Sequence, residues 1–172
     1  MENKKLKRGQ EIELTISDLA FGGQGISRIN DLIVFVKNAI PNQKVLARII
    51  KIKKNYIEAY KLEVINKSSD EVDPRCEHFK YCGGCTIQQM EYKKQLFYKE
   101  KQVYEIMQKL GSIKNPKLNP IIPCDEIFYY RNKMEFTFSD NPWYIEDELY
   151  EDVIIGLHVP KRFDKILNIN TC

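Results

Sequence analysis

Three cysteines fall within ten residues, Cys76, Cys82 and Cys85 in the run PRCEHFKYCGGCTIQQ, and a fourth stands at Cys172. Their spacing, Cys-x5-Cys-x2-Cys with one distant partner, admits three chemistries. A structural zinc ion takes four Cys or His ligands and usually shows two close pairs. Here there is one close pair, one outlier and one distant cysteine, and His78 is only two residues from Cys76, an awkward place for a ligand. An iron–sulfur cluster is larger and accepts three thiolates from one looping segment and a fourth from far away. Gly83 and Gly84 suit a backbone wrapped around such a group. A redox Cys-x-x-Cys pair at Cys82 and Cys85 would want a parallel α/β context, and would leave Cys76 unexplained. The spacing suits the cluster best and leaves zinc and redox thiols as alternatives. Cys124 has no cysteine near it in sequence and reads as a small buried hydrophobe.

Disulfides fit less well. The opening MENKKLKRGQEIEL is basic with no apolar stretch behind it, which predicts no secretory signal and a reducing cytoplasm. Five cysteines are also an odd number. At 172 residues, 43% hydrophobic and 30% charged, the chain can hold one ordinary domain or two small ones, and nothing in it reads as a membrane span. The net charge of +3 is uneven. Residues 1–69 carry 13 Lys and Arg against 7 Asp and Glu, and residues 70–172 carry 14 against 17. A basic surplus on one small unit is the footprint of a phosphate-backbone binder, or simply a solvated surface.

The elements that must position these residues follow from periodicity. Ile12, Leu14 and Ile16 alternate with polar residues, predicting a half-buried strand. Asn30-Asp31 and Pro41-Asn42 predict turns, Leu32–Val36, Val45–Ile52 and Tyr56–Ile65 predict strands, and the glycines at 22, 23 and 25 predict a barrel corner. Five short strands in about 60 residues predict an all-β, OB-like barrel, a fold that binds oligonucleotides on one face. The polar stretch at 67–75 predicts a domain boundary, giving units 1–67 and 68–172. In the second, Thr86 and Gln89 form a capping-box pattern and Gly111 a stop. They predict a helix whose stripe of Met90, Leu96, Phe97, Val103, Tyr104, Met107 and Leu110 faces a core. That helix's N-terminus would favour an anionic cluster beside it. Ile127–Phe138, Ile154–Val159 and Lys165–Ile169 predict strands, so the second unit is expected to be a small α+β domain carrying the iron–sulfur loop.

Four segments, in order, resemble one family. Residues 8–67, with LAFGGQGISRI and LIVFVKNAIPNQKVLARI, are similar to a TRAM domain. The segments CEHFKYCGGCTIQQMEYKKQLFYK, YYRNKMEFTFS and IGLHVPKRFDKILNINTC are similar to the cluster segment, the signature strand and the segment ending in the fourth cluster cysteine of S-adenosylmethionine-dependent RNA uracil-5 methyltransferases of the bacterial rRNA type. The resemblance implies a four-iron, four-sulfur cluster on Cys76, Cys82, Cys85 and Cys172. It implies that Arg131, with Lys133 beside it, reaches RNA, where a structural ion pair is the plainer role for Arg131. It also implies RNA as partner (ribosomal before transfer RNA), a monomer, a cytoplasmic location and no membrane. Arg48, Lys51, Lys53 and Lys54 on the basic barrel are expected to contact phosphates. The family's S-adenosylmethionine site, nucleophilic cysteine and general base lie in a Rossmann-like domain beyond the last cluster cysteine. No catalytic residue is therefore expected in residues 1–172, and this chain alone is expected to be inactive. Two rivals are a stand-alone TRAM-type RNA-binding module and a radical S-adenosylmethionine methylthiotransferase. The latter has a tighter Cys-x3-Cys-x2-Cys and its barrel at the other end.

Overall fold

The computed structural model of the chain describes residues 6–143, 153–160 and 162–172, so the first five residues, part of the segment read as lacking a secretory signal, lie outside it. Two compact units divide the chain: Met1–Val72 with Gln89–Pro123, and Asp73–Gln88 with Cys124–Cys172. Among the described residues no helix is long and apolar enough to cross a membrane.

The first unit is built on β1 (Glu11–Thr15), β2 (Asp18–Leu19), β3 (Gly25–Ile29), β4 (Leu32–Lys37), β5 (Lys44–Ile52) and β6 (Tyr56–Asn66). They form one sheet in the order β1-β5-β6-β4-β3-β2, with β4 and β6 parallel and the other pairs antiparallel. The sheet curls back on itself. Ser17 N donates to Ile26 O at 2.8 Å, and Ser27 Oγ to Thr15 O at 2.8 Å, joining the end of β1 to β3. Period-two alternation sends Leu14, Ile16, Val34, Val36, Val45, Ala47, Ile49, Ile57 and Ala59 inward to a single core. The predicted strands and turns stand here. Asn30 takes φ 52 in the two-residue β3–β4 turn, and Asn42 takes φ 68 after Pro41. The glycine corner is needed as well: a Cβ on Gly25 would lie 2.8 Å from Ile16 Cγ2 and 2.9 Å from Ala39 O.

The unit boundary and the helix differ from expectation. The helix α1 spans Tyr92–Lys109 with Glu91 at its N-cap and no side-chain cap bond, so Thr86 does not start it. The residues before it are used otherwise: Val72 N donates to Gln89 O and Glu91 N to Asp70 O, both at 2.9 Å, and Glu71 bridges Met90. This clasp closes the base of the 73–88 loop. It holds α1 to the barrel unit, where Lys101 Nζ lies 2.5 Å from Asp18 Oδ2 and Gln102 Nε2 donates to Leu19 O at 2.9 Å. The helix therefore groups with the barrel unit, and it begins six residues after Thr86. The apolar stripe is a core face only at its start: Met90, just before α1, is 1% exposed, whereas within α1 Tyr98 is the buried residue and Phe97 and Leu110 are 56% and 81% exposed. Polar groups at Lys101 and Gln102 make the barrel contact, and a hydrophobic period cannot reveal those. The helix does end as read, two residues before Gly111.

The clasp rests on a fully buried Gln43. Its Oε1 accepts from Ile40 N at 3.0 Å and its Nε2 donates to Glu71 Oε2 at 2.8 Å. Gln43→Ala leaves both partners unpaired, and is expected to destabilise the first unit by about 2 kcal/mol. A urea denaturation midpoint followed by circular dichroism checks this.

The second unit contains β7 (Thr137–Ser139), β8 (Ile154–Val159) and β9 (Arg162–Asn168), an antiparallel sheet in the order β7-β8-β9. Gly156 is required at its centre, because a Cβ there would fall 1.8 Å from Leu167 O. Among the described residues this unit has no helix of its own; residues 68–172, expected to be α+β, do contain α1 and β7–β9, but α1 groups with the barrel unit. The long strand expected at Ile127–Phe138 shrinks to β7. Tyr129 takes φ 57, which a strand cannot hold.

Candidate metal centre

The 73–88 loop carries Cys76, Cys82 and Cys85, and the segment after β9 carries Cys172. The loop folds on its own backbone: Phe79 N donates to Cys76 O at 3.2 Å, and Cys82 N to His78 O at 2.8 Å. Gly83 N reaches His158 O on β8 at 3.2 Å, and a Cβ on Gly83 would meet that oxygen at 2.9 Å. A glycine thus lets the loop lie against the strand. His78, buried to 7% exposure, accepts from Asn170 N at Nε2 (3.3 Å), with Glu77 Oε1 3.2 Å away. The first contact ties the segment leading to Cys172 back to the loop.

The four cysteines come together. Cys76, Cys85 and Cys172 line one cavity of about 560 Å³ with Gln88, Arg131 and Met134. Cys82 feels the charge of all three. None is in a disulfide. Burial pushes the Cys82 thiol up, the Gly84 N–H at 3.2 Å draws it down, and the neighbouring cysteines push it up again. Burial also raises Cys85; Arg131 opposes this, Cys172 and Cys76 add to it, and Gln88 Nε2, 3.8 Å from the sulfur, opposes it. Any metal group these thiols hold must displace their protons. Among the described residues no three His, Cys, Asp or Glu groups converge on a single metal ion. The donor set suits a larger group: three thiols line a roomy cavity with the Cys82 thiol near them, N–H donors lie at two of the sulfurs, and a guanidinium is close by.

The other predicted residues are placed as follows. Arg131 donates from Nη2 to Gly84 O at 2.7 Å and is otherwise exposed. Its guanidinium holds the cysteine loop and is not in an acidic ion pair among the described residues. Lys133 pairs with Glu135 at 2.6 Å on the surface. Arg48 on β5 pairs with Glu11 at 2.7 Å. Lys51, one residue before the end of β5, lies opposite Glu58, and Lys53 and Lys54 sit exposed at the β5–β6 tip, where Lys53 N donates to Tyr56 O at 2.8 Å. Cys124 is exposed rather than buried, its Sγ 3.0 Å from Glu126 O, because the 116–136 stretch forms no sheet to cover it. Sequence reasoning missed Arg75 and Gln88, which flank the cysteines without any spacing rule to mark them.

Residues 5–62 match the TRAM domain family. The chain is 37% identical over 160 residues to an uncharacterized RNA methyltransferase of Bacteroides thetaiotaomicron, covering 90% of this chain and 35% of that protein. It is 38% identical over 172 residues to one of Listeria monocytogenes, covering 100% of this chain and 36% of that protein. The crystal structure of Pyrococcus abyssi tRNA (uracil-54, C5)-methyltransferase with S-adenosyl-L-homocysteine shares the fold, with TM-score 0.56 and 21% identity over 93% of this chain and 32% of that one. The chain thus spans about a third of the length of the relatives it matches. It carries a TRAM domain and belongs, as an N-terminal portion, to the RNA methyltransferase family.

Proposed function

We propose that this chain is the RNA-gripping portion of an S-adenosylmethionine-dependent RNA uracil-5 methyltransferase, with ribosomal RNA as its substrate and a four-iron, four-sulfur cluster on Cys76, Cys82, Cys85 and Cys172. One observation carries the reading: Cys172, remote in sequence, lines the same cavity as the loop cysteines in a chain that opens with a TRAM domain. A cluster bound there would supply binding free energy that is also folding free energy for a loop-rich unit. The chain's own groups would hold it. The Gly84 N–H and the Gln88 amide donate to sulfur, and Arg131 sets a positive charge beside Cys85. The barrel supplies phosphate contacts through Lys53, Lys54, Lys51 and Arg48. In this reading the chain's role is to grip RNA and present a uridine.

Fluorescence anisotropy with ribosomal RNA fragments and a tRNA transcript, at several salt concentrations, tests this. The expected result is tighter binding to a ribosomal fragment, weakening linearly in log–log salt. Equal or tighter binding to the tRNA would remove the ribosomal assignment. Salt-insensitive or absent binding would favour neither RNA and would overturn the reading.

A further inference from the structure

The run Phe128-Tyr129-Tyr130 crosses the second unit outside any strand, and its middle residue holds a left-handed backbone, φ 57. A bulky aromatic residue seldom adopts that conformation, and it persists only where its surroundings enforce it. Two arginines do so here. Arg75, next to Cys76, donates from Nη2 to the Tyr129 hydroxyl at 3.0 Å, and its guanidinium carbon lies 4.9 Å from the Phe128 ring centroid and 5.0 Å from that of Tyr129. Arg131, at the other end of the run, is fastened to Gly84 O at 2.7 Å. The aromatic run is thus fixed at both ends to the loop that carries the cysteines.

The strain leaves two large rings in water: Tyr129 is 74% exposed and Tyr130 62%. Arg75 and Arg131 line the same cavity as both rings. Exposed aromatic rings interleaved with cations are how proteins bind single-stranded nucleic acid, since every base offers a face to stack on and every phosphate a charge to pair. A protein-binding patch would instead be poor in charge at its centre. We propose that Tyr129 and Tyr130 form a stacking platform for unpaired RNA bases, with Arg75 as the residue that positions it. Arg75 covers one face of the Tyr129 ring and leaves the other open to a base. The platform rests on the RNA reading above.

Tyr129→Gly separates strain from function. Glycine takes φ 57 freely, so the variant is expected to unfold no earlier than the parent. Its affinity for a short unpaired oligoribonucleotide is expected to fall about tenfold. The slope of affinity against salt should not change, because no charge is removed. Tyr130→Ala should behave alike in binding. Tyr129→Phe keeps the ring and loses the Arg75 bond, so most of the affinity should remain. Arg75→Ala should weaken single-strand binding with Tyr129 intact, and add little in a Tyr129→Gly background. Unchanged affinity in Tyr129→Gly, with the parent chain binding RNA, overturns the platform alone. Equal losses on duplex and single-stranded RNA overturn it as well, as does self-association of the parent chain that Tyr129→Gly abolishes while RNA affinity holds. A parent chain that binds no RNA overturns the RNA reading first.

Discussion

With the proposed cluster bound, Cys82→Ser is expected to strip its iron and unfold the second unit while sparing the first. A structural metal contributes on the order of 10 kcal/mol of binding free energy that is also folding free energy. Among the described residues, the second unit has little to replace it: a three-stranded sheet and long loops, with Ile154, Val159, Ile166 and Leu167 as buried aliphatic residues. The barrel has its own core, and α1 is held to it by Asp18, Leu19 and the clasp at Asp70–Val72, so neither depends on the cysteines. Hydrogen exchange should therefore lose protection across β7, β8 and β9 and keep it across β1–β6 and α1. Cys124→Ser, at an exposed sulfur away from the cavity, should change neither iron content nor protection. Uniform loss of protection in both units after Cys82→Ser would show that the barrel leans on the cluster, against this account.

The second large effect belongs to the tip of the β5–β6 hairpin. Replacing Lys53 and Lys54 together by alanine should weaken RNA binding at least about tenfold at low salt and flatten the log–log salt dependence by roughly 1.5, the release expected for two phosphate contacts. Both residues are exposed, and among the described residues neither has an ion pair with an acid, so their charge is available and their loss should leave stability unchanged. Arg48→Ala is the informative contrast. Its guanidinium already engages Glu11 Oε1 through Nε and Nη2, so it should contribute less than either lysine. A double variant with unchanged affinity and slope would move the RNA-binding face away from this tip.

The barrel was legible in sequence because its physics is local. Alternation at Ile12, Leu14 and Ile16, a turn at Asn30-Asp31 and glycines at a corner each leave a short-range mark. The helix start was not. Thr86 and Gln89 have capping-box spacing, yet the Gln89 backbone is committed to Val72, and a partner far back in the chain leaves no periodic trace. The stripe on α1 misled for a related reason: its barrel contact runs through Lys101 and Gln102, which a hydrophobic count treats as surface. At the candidate site, spacing could mark Cys76, Cys82 and Cys85 as a set. That Cys172 joins them depends on β8 and β9 and on the His78 contact to Asn170, tertiary facts that no spacing encodes. Arg75 and Tyr129 were silent for the same reason, since a strained backbone and the arginine that holds it have no sequence signature.

The most direct measurement is the iron and acid-labile sulfide content of the chain prepared without oxygen, beside a Cys172→Ser version. The account predicts about four irons and four sulfides per parent chain, as four thiolates around one cluster require, and markedly less of both in the variant. A parent chain without iron, or equal contents in the two proteins, would contradict it.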